Sequence, residues 1–262
     1  MKVVAFVDHE IGHRLLRRML RPPLSTTLQI VAIVTTQANG ARWWPGVSDI
    51  AREHQIPLFR HPAQPAELKQ MGPIDRFLLL SWPYVLKPEM LAVSTLGAIN
   101  LHYSLLPKYR GVYPVNWAVI FGDKETGVTY HQVGENVDHG PIICQERIPI
   151  LQQDTARSLY LRLDDLAENL FDVMLTKINS SVPSTPISSG PYFNRRDFEL
   201  TNAINLEKNY TGRELINLLR GKSFAPHGRN AYFIDSSNGR KVYVTLHLEA
   251  EGDQAQNVTR HE

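Results

Sequence analysis

Apolar runs alternate with helical stretches through the N-terminal part of this chain, and no other feature restricts the fold as much. Val3, Val4, Ala5, Phe6 and Val7 form a continuous apolar run. A strand without polar alternation has both faces covered, as in parallel sheets flanked by helices. A polar loop from Asp8 to Gly12 then leads into a helical stretch with Leu15, Leu16 and Leu20. Further strands are predicted over 28–34, 56–59, 76–80 and 98–102, with a helix over 48–55. Strand and helix in alternation predict an α/β fold: a mostly parallel, Rossmann-like sheet with helices on both faces. Ligands of such sheets bind outside the carboxyl ends of the strands.

The pattern changes after that. Residues 127–133 and 141–150 read as two strands joined by a loop. A long helix is predicted over 155–179, with Leu159, Leu163, Leu166, Leu170 and Val173 as its apolar stripe and Asp154 and Thr155 capping its start. Pro183, Pro186 and Pro191 mark a linker. A helix over 211–220 should end at Gly221, and strands over 231–235 and 241–248 should form a hairpin through Ser236-Ser237-Asn238-Gly239. The tail from Gly252 is polar. The expected organisation is a catalytic domain over 1–180 and a small C-terminal α+β portion over 181–262.

Composition removes several function classes. A formal net charge of +2 over 262 residues fits neither a basic nucleic-acid coat nor an acidic tail. Cys144 is the single cysteine, so there is no intrachain disulfide and no cysteine-based zinc site, and a reducing compartment is expected. The N-terminus turns acidic too soon for a secretory signal, and no apolar run approaches the roughly 18 residues of a membrane span. A cytoplasmic protein is expected, with no membrane partner. No GxGxxG follows the first strand and no GxxxxGK[ST] occurs, which excludes the usual dinucleotide and P-loop sites.

The polar groups of interest lie between Gly97 and Ile150. Asn100 and His102 are two apart at the end of a strand, so both side chains point to one face. An amide there can donate to a developing oxyanion, and an imidazole can move a proton near neutral pH. Asp138, on a loop ended by Gly140, can orient that imidazole or hold a water. The set suits acyl transfer to an amine, though Asn and His at a strand end also serve structure alone.

Four ordered blocks carry a family likeness: Asn100-Leu101-His102; Ser104-Leu105-Leu106-Pro107-Lys108-Tyr109-Arg110-Gly111; Gly122-Asp123-Lys124-Glu125-Thr126-Gly127-Val128-Thr129; and Asp138-His139-Gly140-Pro141-Ile142-Ile143. Together they resemble the formyltetrahydrofolate-dependent formyltransferases. The resemblance implies that Asn100, His102 and Asp138 are catalytic and that the formyl donor is 10-formyltetrahydrofolate, with no metal. It places the folate along Ser81, Trp82, Tyr84, Val85 and Leu86, with Val137 closing the other side. A protonated His102 would assist Asn100 in holding the oxyanion. Tyr103 departs from the family, many of whose members have proline after the histidine.

Within that family the length and the C-terminal portion look most like the nucleotide-sugar N-formyltransferases. The resemblance then implies a dTDP- or GDP-linked amino sugar as acceptor, a product for O-antigen or lipopolysaccharide assembly, and a homodimer. Alternatives are an enzyme like methionyl-tRNA formyltransferase, disfavoured by the near-neutral charge, or another folate-dependent formyltransferase, and a non-catalytic folate-binding module, disfavoured because all three catalytic positions are filled. The candidate acceptor contacts are Tyr103, Ser104, Lys108, Tyr109 and Arg110, with Arg195 and Arg196. Arg220 and Lys222 add basic charge, and Tyr192, Phe193, Phe224 and Tyr232 could sandwich a base or form a small second core. His9 and His13, four apart with Gly12 between them, are not read as a metal site. Arg17 and Arg18 read as a solvated helix face, and Cys144 as buried and inert.

Overall fold

The computed structural model of the chain describes residues 1–37, 39–41, 44–180, 184–223 and 231–249. Its centre is a seven-stranded sheet of β1 (Lys2–Val7), β2 (Gln29–Thr35), β3 (Leu58–Arg60), β4 (Arg76–Leu80), β5 (Ala98–His102), β6 (Glu125–Gln132) and β7 (Ile142–Pro149). The spatial order is β7-β6-β5-β4-β1-β2-β3. Strands β1 to β5 pair in parallel, and β6 runs antiparallel to β5. The fold is therefore the mostly parallel, Rossmann-like sheet expected from the apolar runs. The chain leaves β1 for β2 on one side and returns to β4 on the other. At such a reversal, ligands of open α/β sheets bind outside the carboxyl ends of the strands, here β1 and β4.

Both faces of β1 are covered: Val3, Val4, Ala5 and Val7 are fully buried and Phe6 nearly so. One face packs with Ala32, Val34, Leu68, Phe77 and Leu79. Among the helices α1 (His9–Met19) buries Ile11, Leu15, Leu16 and Met19. The others used below are α2 (Pro114–Ile120), α3 (Ala156–Asn179), α4 (Arg195–Leu200) and α5 (Gly212–Lys222).

Helix α3 starts with a reciprocal cap. Ser158 N–H donates to the Thr155 hydroxyl at 3.2 Å and Thr155 N–H donates to the Ser158 hydroxyl at 2.9 Å. Its buried stripe differs from the expected one. Leu159, Leu163 and Leu170 are buried, but Leu166 is only partly so and Val173 is exposed; Ala167, Phe171 and Met174 take their places. A strict alternation of four and three drifts around a helix of 3.6 residues per turn, so the covered face moves to neighbouring positions over several turns. Arg18 is not simply solvated. Its Nε donates to Asp172 at 3.1 Å, and Arg14 pairs with Asp165 and Glu168, joining α1 to α3.

Gly221 does not end α5, which continues to Lys222. A Cβ at Gly221 would lie 2.4 Å from Ile120 Cγ1 and 2.9 Å from the Asn116 carbonyl. The glycine is there for close approach to α2, not as a stop. The hairpin strands are shorter than expected, Tyr232–Ile234 and Lys241–Tyr243, with Gly239 at φ +70° in the turn.

The molecule divides into two compact units, each drawn from several stretches. The first comprises Met1–Arg110, Gly127–Arg147 and Leu163–Pro191; the second comprises Gly111–Thr126, Ile148–Arg162 and Tyr192–Glu262. In the second unit Trp117 packs on Phe121, Phe193 and Phe198 at 5.4, 4.7 and 5.6 Å between ring centroids. Among the described residues no helix is long and apolar enough to cross a membrane.

Candidate active site

The first unit brings Asn100, His102 and Asp138 together. Asn100 and His102 occupy alternate positions at the end of β5, and Asp138 comes from the loop after β6. His102 Nδ1 is 3.4 Å from Asp138 Oδ2, and Asn100 Nδ2 donates to Asp138 Oδ1 at 3.2 Å. The side chains of His102 and Asp138 are only 7% and 9% exposed. At that depth hydrogen bonds and charges act in a low dielectric.

The carbonyl of Tyr109 fixes the tautomer of His102. It lies 2.9 Å from Nε2, and a carbonyl only accepts, so Nε2 carries the proton. Nδ1 then faces Asp138 with its lone pair. Burial lowers the pKa of His102, Asp138 raises it and His131 lowers it again; the net shift is downward. The imidazole is therefore neutral at rest at pH 7. The protonated His102 of the sequence reading is a state reached on taking a proton, not the starting one.

His131 is a fourth member that the sequence reading missed. It is 2% exposed, lies opposite Asn100 in the β5–β6 register, and puts Nε2 3.1 Å from Asn100 Nδ2 and 3.4 Å from Asp138 Oδ1. Its Nδ1 donates to the Gln132 carbonyl at 2.8 Å, so Nε2 is the acceptor for the Asn100 amide. The signal was available: Thr129 and His131 alternate on β6 as Asn100 and His102 do on β5. Only the register of the pair says that they meet.

The loop carrying Asp138 is held from several sides. Arg110 Nε donates to the Val137 carbonyl at 3.1 Å, and Arg110 Nη1 donates to the Gly190 carbonyl at 3.2 Å. A Cβ on Gly140 would stand 1.7 Å from the Gln132 carbonyl oxygen, so only glycine lets the loop return to β6. Asp138 sits at φ +49°, a left-handed conformation that Asp and Asn tolerate better than other side chains. On the other flank, the Thr129 hydroxyl donates to the Ser104 carbonyl at 2.6 Å, and Gln145 donates to Thr129 at 2.8 Å and to the Leu106 carbonyl at 3.1 Å.

The expected folate loop follows β4, next to β5. Ser81 stands at φ +63° with its hydroxyl 2.9 Å from His9 Nδ1. Trp82 packs edge-on against Phe6 at 5.2 Å, and Tyr84 stacks on His61 at 4.0 Å. Among the described residues Trp82 Nε1 is buried without a hydrogen-bond partner. Tyr84 is 48% and Val85 73% exposed, while Leu86 and Val137 are half-buried.

The expected acceptor contacts scatter. Lys108 is exposed; Tyr109 is buried and lends its carbonyl to His102. Tyr103 is buried, its hydroxyl donating to Asp164, and Ser104 is fully buried, its hydroxyl donating to the Lys108 carbonyl at 2.5 Å. Arg195 and Arg196 lie exposed in the first turn of α4, in the second unit. Arg220 and Lys222 do not form the basic surface expected of them. Arg220 is 4% exposed and donates to the carbonyls of Asp154 and Leu151, both at 2.7 Å; Lys222 is 2% exposed and donates to the Phe198 carbonyl and Asn202. Among the aromatics, Phe193 belongs to the small core around Trp117, Tyr192 is exposed, and Tyr232 packs on Tyr243. Phe224 lies outside the described residues.

The formyl transferase family matches residues 51–175, a range that contains Asn100, His102, His131 and Asp138. Residues 51–175 belong to that family. The N-formyltransferase dimerization C-terminal domain matches residues 197–250. Among curated proteins, the bifunctional polymyxin resistance protein ArnA of Wigglesworthia glossinidia brevipalpis is 32% identical over 245 residues, covering 90% of this chain and 36% of that protein. The chain thus spans about a third of the length of that relative. A 4-N formyltransferase from Francisella tularensis shares the fold, with a TM-score of 0.76 at 23% identity over 95% of this chain and 98% of that one. The N-formyltransferase from Helicobacter canadensis, solved with folinic acid and dTDP-3-aminofucose, has a TM-score of 0.69 at 25% identity over 84% of this chain and 79% of that one.

Proposed function

We propose that this formyltransferase moves the formyl group of 10-formyltetrahydrofolate to the amino group of a nucleotide-linked amino sugar. The observation that carries this reading is the buried Asn100–His102–Asp138 set at the carboxyl end of β5, beside the loop after β4. The Helicobacter relative, which binds folinic acid and a dTDP-linked amino sugar, favours a dTDP-linked acceptor among those considered.

The neutral amine attacks the formyl carbon, and a carbon–nitrogen bond forms as negative charge gathers on the formyl oxygen. Asn100 gives that oxygen an amide N–H, exchanging it for its bond to Asp138 Oδ1. His102 Nδ1 takes the proton lost by the attacking nitrogen, and Asp138 stabilises the imidazolium that results. The bond from the formyl carbon to the folate nitrogen then breaks, and that nitrogen receives the proton from His102. His131 holds the Asn100 amide plane and leaves its second N–H aimed across the site. Residues 81–86 and Val137 flank the folate. Lys108 in the first unit, and separately Arg195 and Arg196 in the second, remain candidates for phosphate contact, since their charges are exposed, and residues 197–250 are the proposed contact of a homodimer. The product would serve O-antigen or related surface polysaccharide assembly in the cytoplasm.

Calorimetric titration with 5-formyltetrahydrofolate and with dTDP tests the two ligand classes separately. Saturable binding of both is expected, with His102→Asn changing neither dissociation constant more than about threefold, because His102 acts on the proton and not on ground-state binding. Binding of the folate with no binding of dTDP would overturn the dTDP-linked acceptor.

A further inference from the structure

One buried carboxyl takes no part in the reaction just described. Asp164, on α3, is 1% exposed. Its Oδ1 accepts a short hydrogen bond from the Tyr103 hydroxyl, and among the described residues its Oδ2 has no partner. Burying a half-satisfied carboxyl is costly, and an apolar residue at this helix position would pack without that cost. Tyr103 follows His102 directly, one residue past the end of β5, and its hydroxyl meets Asp164 while His102 meets Asp138. The tyrosine is itself 6% exposed, so its hydroxyl reaches α3 through the interior. The bond therefore joins the residue that follows β5 to α3.

We infer that Asp164 is a positioning residue, which through the Tyr103 hydroxyl anchors the end of β5 and so sets where the His102 imidazole stands. The inference rests on His102 as the proton-transfer group proposed above. The His102 geometry is demanding: Nε2–H meets the Tyr109 carbonyl at 2.9 Å while Nδ1 stays 3.4 Å from Asp138. Without the anchor, the end of β5 keeps its bonds through Ser104 but loses its tie to α3.

The groups facing Asp164 are Tyr103 from the end of β5, Glu10 and Arg14 from α1, and Asp165 from α3. Burial pushes its carboxyl up to about 7 against the lowering effect of Tyr103 and Arg14, while Glu10 and Asp165 add to the rise. Ionisation makes the Tyr103 bond charge-assisted and shorter, roughly doubling its strength. The anchor thus tightens as pH rises through about 7. Stability moves the opposite way. A carboxyl raised above its unfolded value stabilises the fold fully below that value, and the contribution is lost as pH rises through about 7.

The decisive experiment follows the His102 imidazole by NMR in ¹³C-histidine-labelled full-length protein, with kinetics alongside. In the wild type the His102 resonance should show a second inflection near pH 7, and Asp164→Asn, which keeps an oxygen acceptor for Tyr103 but cannot ionise, should abolish it. Tyr103→Phe should shift the resonance and lower kcat about tenfold, with KM for the formyl donor within about twofold. Asp164→Asn should keep kcat at pH 7 within about threefold of wild type. A second inflection that is absent from the wild type, or that persists in Asp164→Asn, would overturn the inference even if Tyr103→Phe failed to fold. So would a folded Tyr103→Phe with wild-type kcat and an unmoved resonance. The NMR comparison needs no acceptor, so a wrong acceptor assignment would show as absent transfer in the wild type and leave the anchor test intact.

Discussion

His102→Asn removes the side chain proposed to take the amine proton, and it should lower kcat by about 10²–10⁴-fold while leaving folate binding nearly unchanged. Turnover within about threefold of wild type would remove His102 from the proposed role. The pH profile carries the same assignment. Burial lowers the pKa of His102, and the neutral form is the working one, so kcat/KM should fall only below the ordinary imidazole value of 6.5. An acid limb centred above 6.5 would contradict it. Cys144 should be silent: it is 4% exposed and burial pushes its thiol up to about 12, so thiol reagents should react slowly with native protein. Three of the four converging side chains were legible in the sequence because each sits in a contiguous motif. His131 was not, because it enters the site through a cross-strand pairing that no local pattern fixes. Arg220 and Lys222 were misjudged for a related reason: a cation looks available in sequence until carbonyl groups from distant segments are seen to surround it.

At the scale of single elements, two glycines make sharp tests. Gly140→Ala places a Cβ against the Gln132 carbonyl, and the loop that carries Asp138 must give way. A displacement on the order of 1 Å at a reacting group can cost about 10²-fold, so turnover should drop by about that much while the sheet stays folded. Wild-type activity in Gly140→Ala would mean that Asp138 is not held as described. Gly221→Ala pushes α5 from α2 and should cost about 1–3 kcal/mol, read as a lower denaturant midpoint at unchanged slope. The strands were legible because buried parallel strands are written as unbroken apolar runs, and 76–80 and 98–102 match the structure residue for residue. The end of helix α5 was not, since Gly221 carries the same local signal as a stop and only the neighbouring helix shows why it is glycine. Helix α2 was not foreseen either, being short, opened by Pro114 and followed by Gly122.

The whole molecule is less linear than its sequence suggests. Residues 111–126 and 148–162 belong with the C-terminal stretch, and Trp117 packs on Phe193 and Phe198 from that stretch. Truncation after Ser180 strips those aromatics from α2, so the shortened chain should lose cooperative unfolding and not persist as a free folate-binding domain. A truncated chain with a sharp transition and full folate affinity would show that residues 111–162 fold without their C-terminal partners. The linear reading put a boundary at the proline-rich segment because composition changes there, but unit membership is set by side-chain contacts that composition does not record. The central claim, formyl transfer to a nucleotide-linked amino sugar, is tested most directly by mass spectrometry. Full-length protein with 10-formyltetrahydrofolate is offered a panel of dTDP-, GDP- and UDP-linked amino sugars beside a formylatable transfer RNA. One dTDP-linked sugar should gain a single formyl group, and His102→Asn should abolish that gain. Formylated transfer RNA, or release of formate with every sugar unchanged, would contradict it.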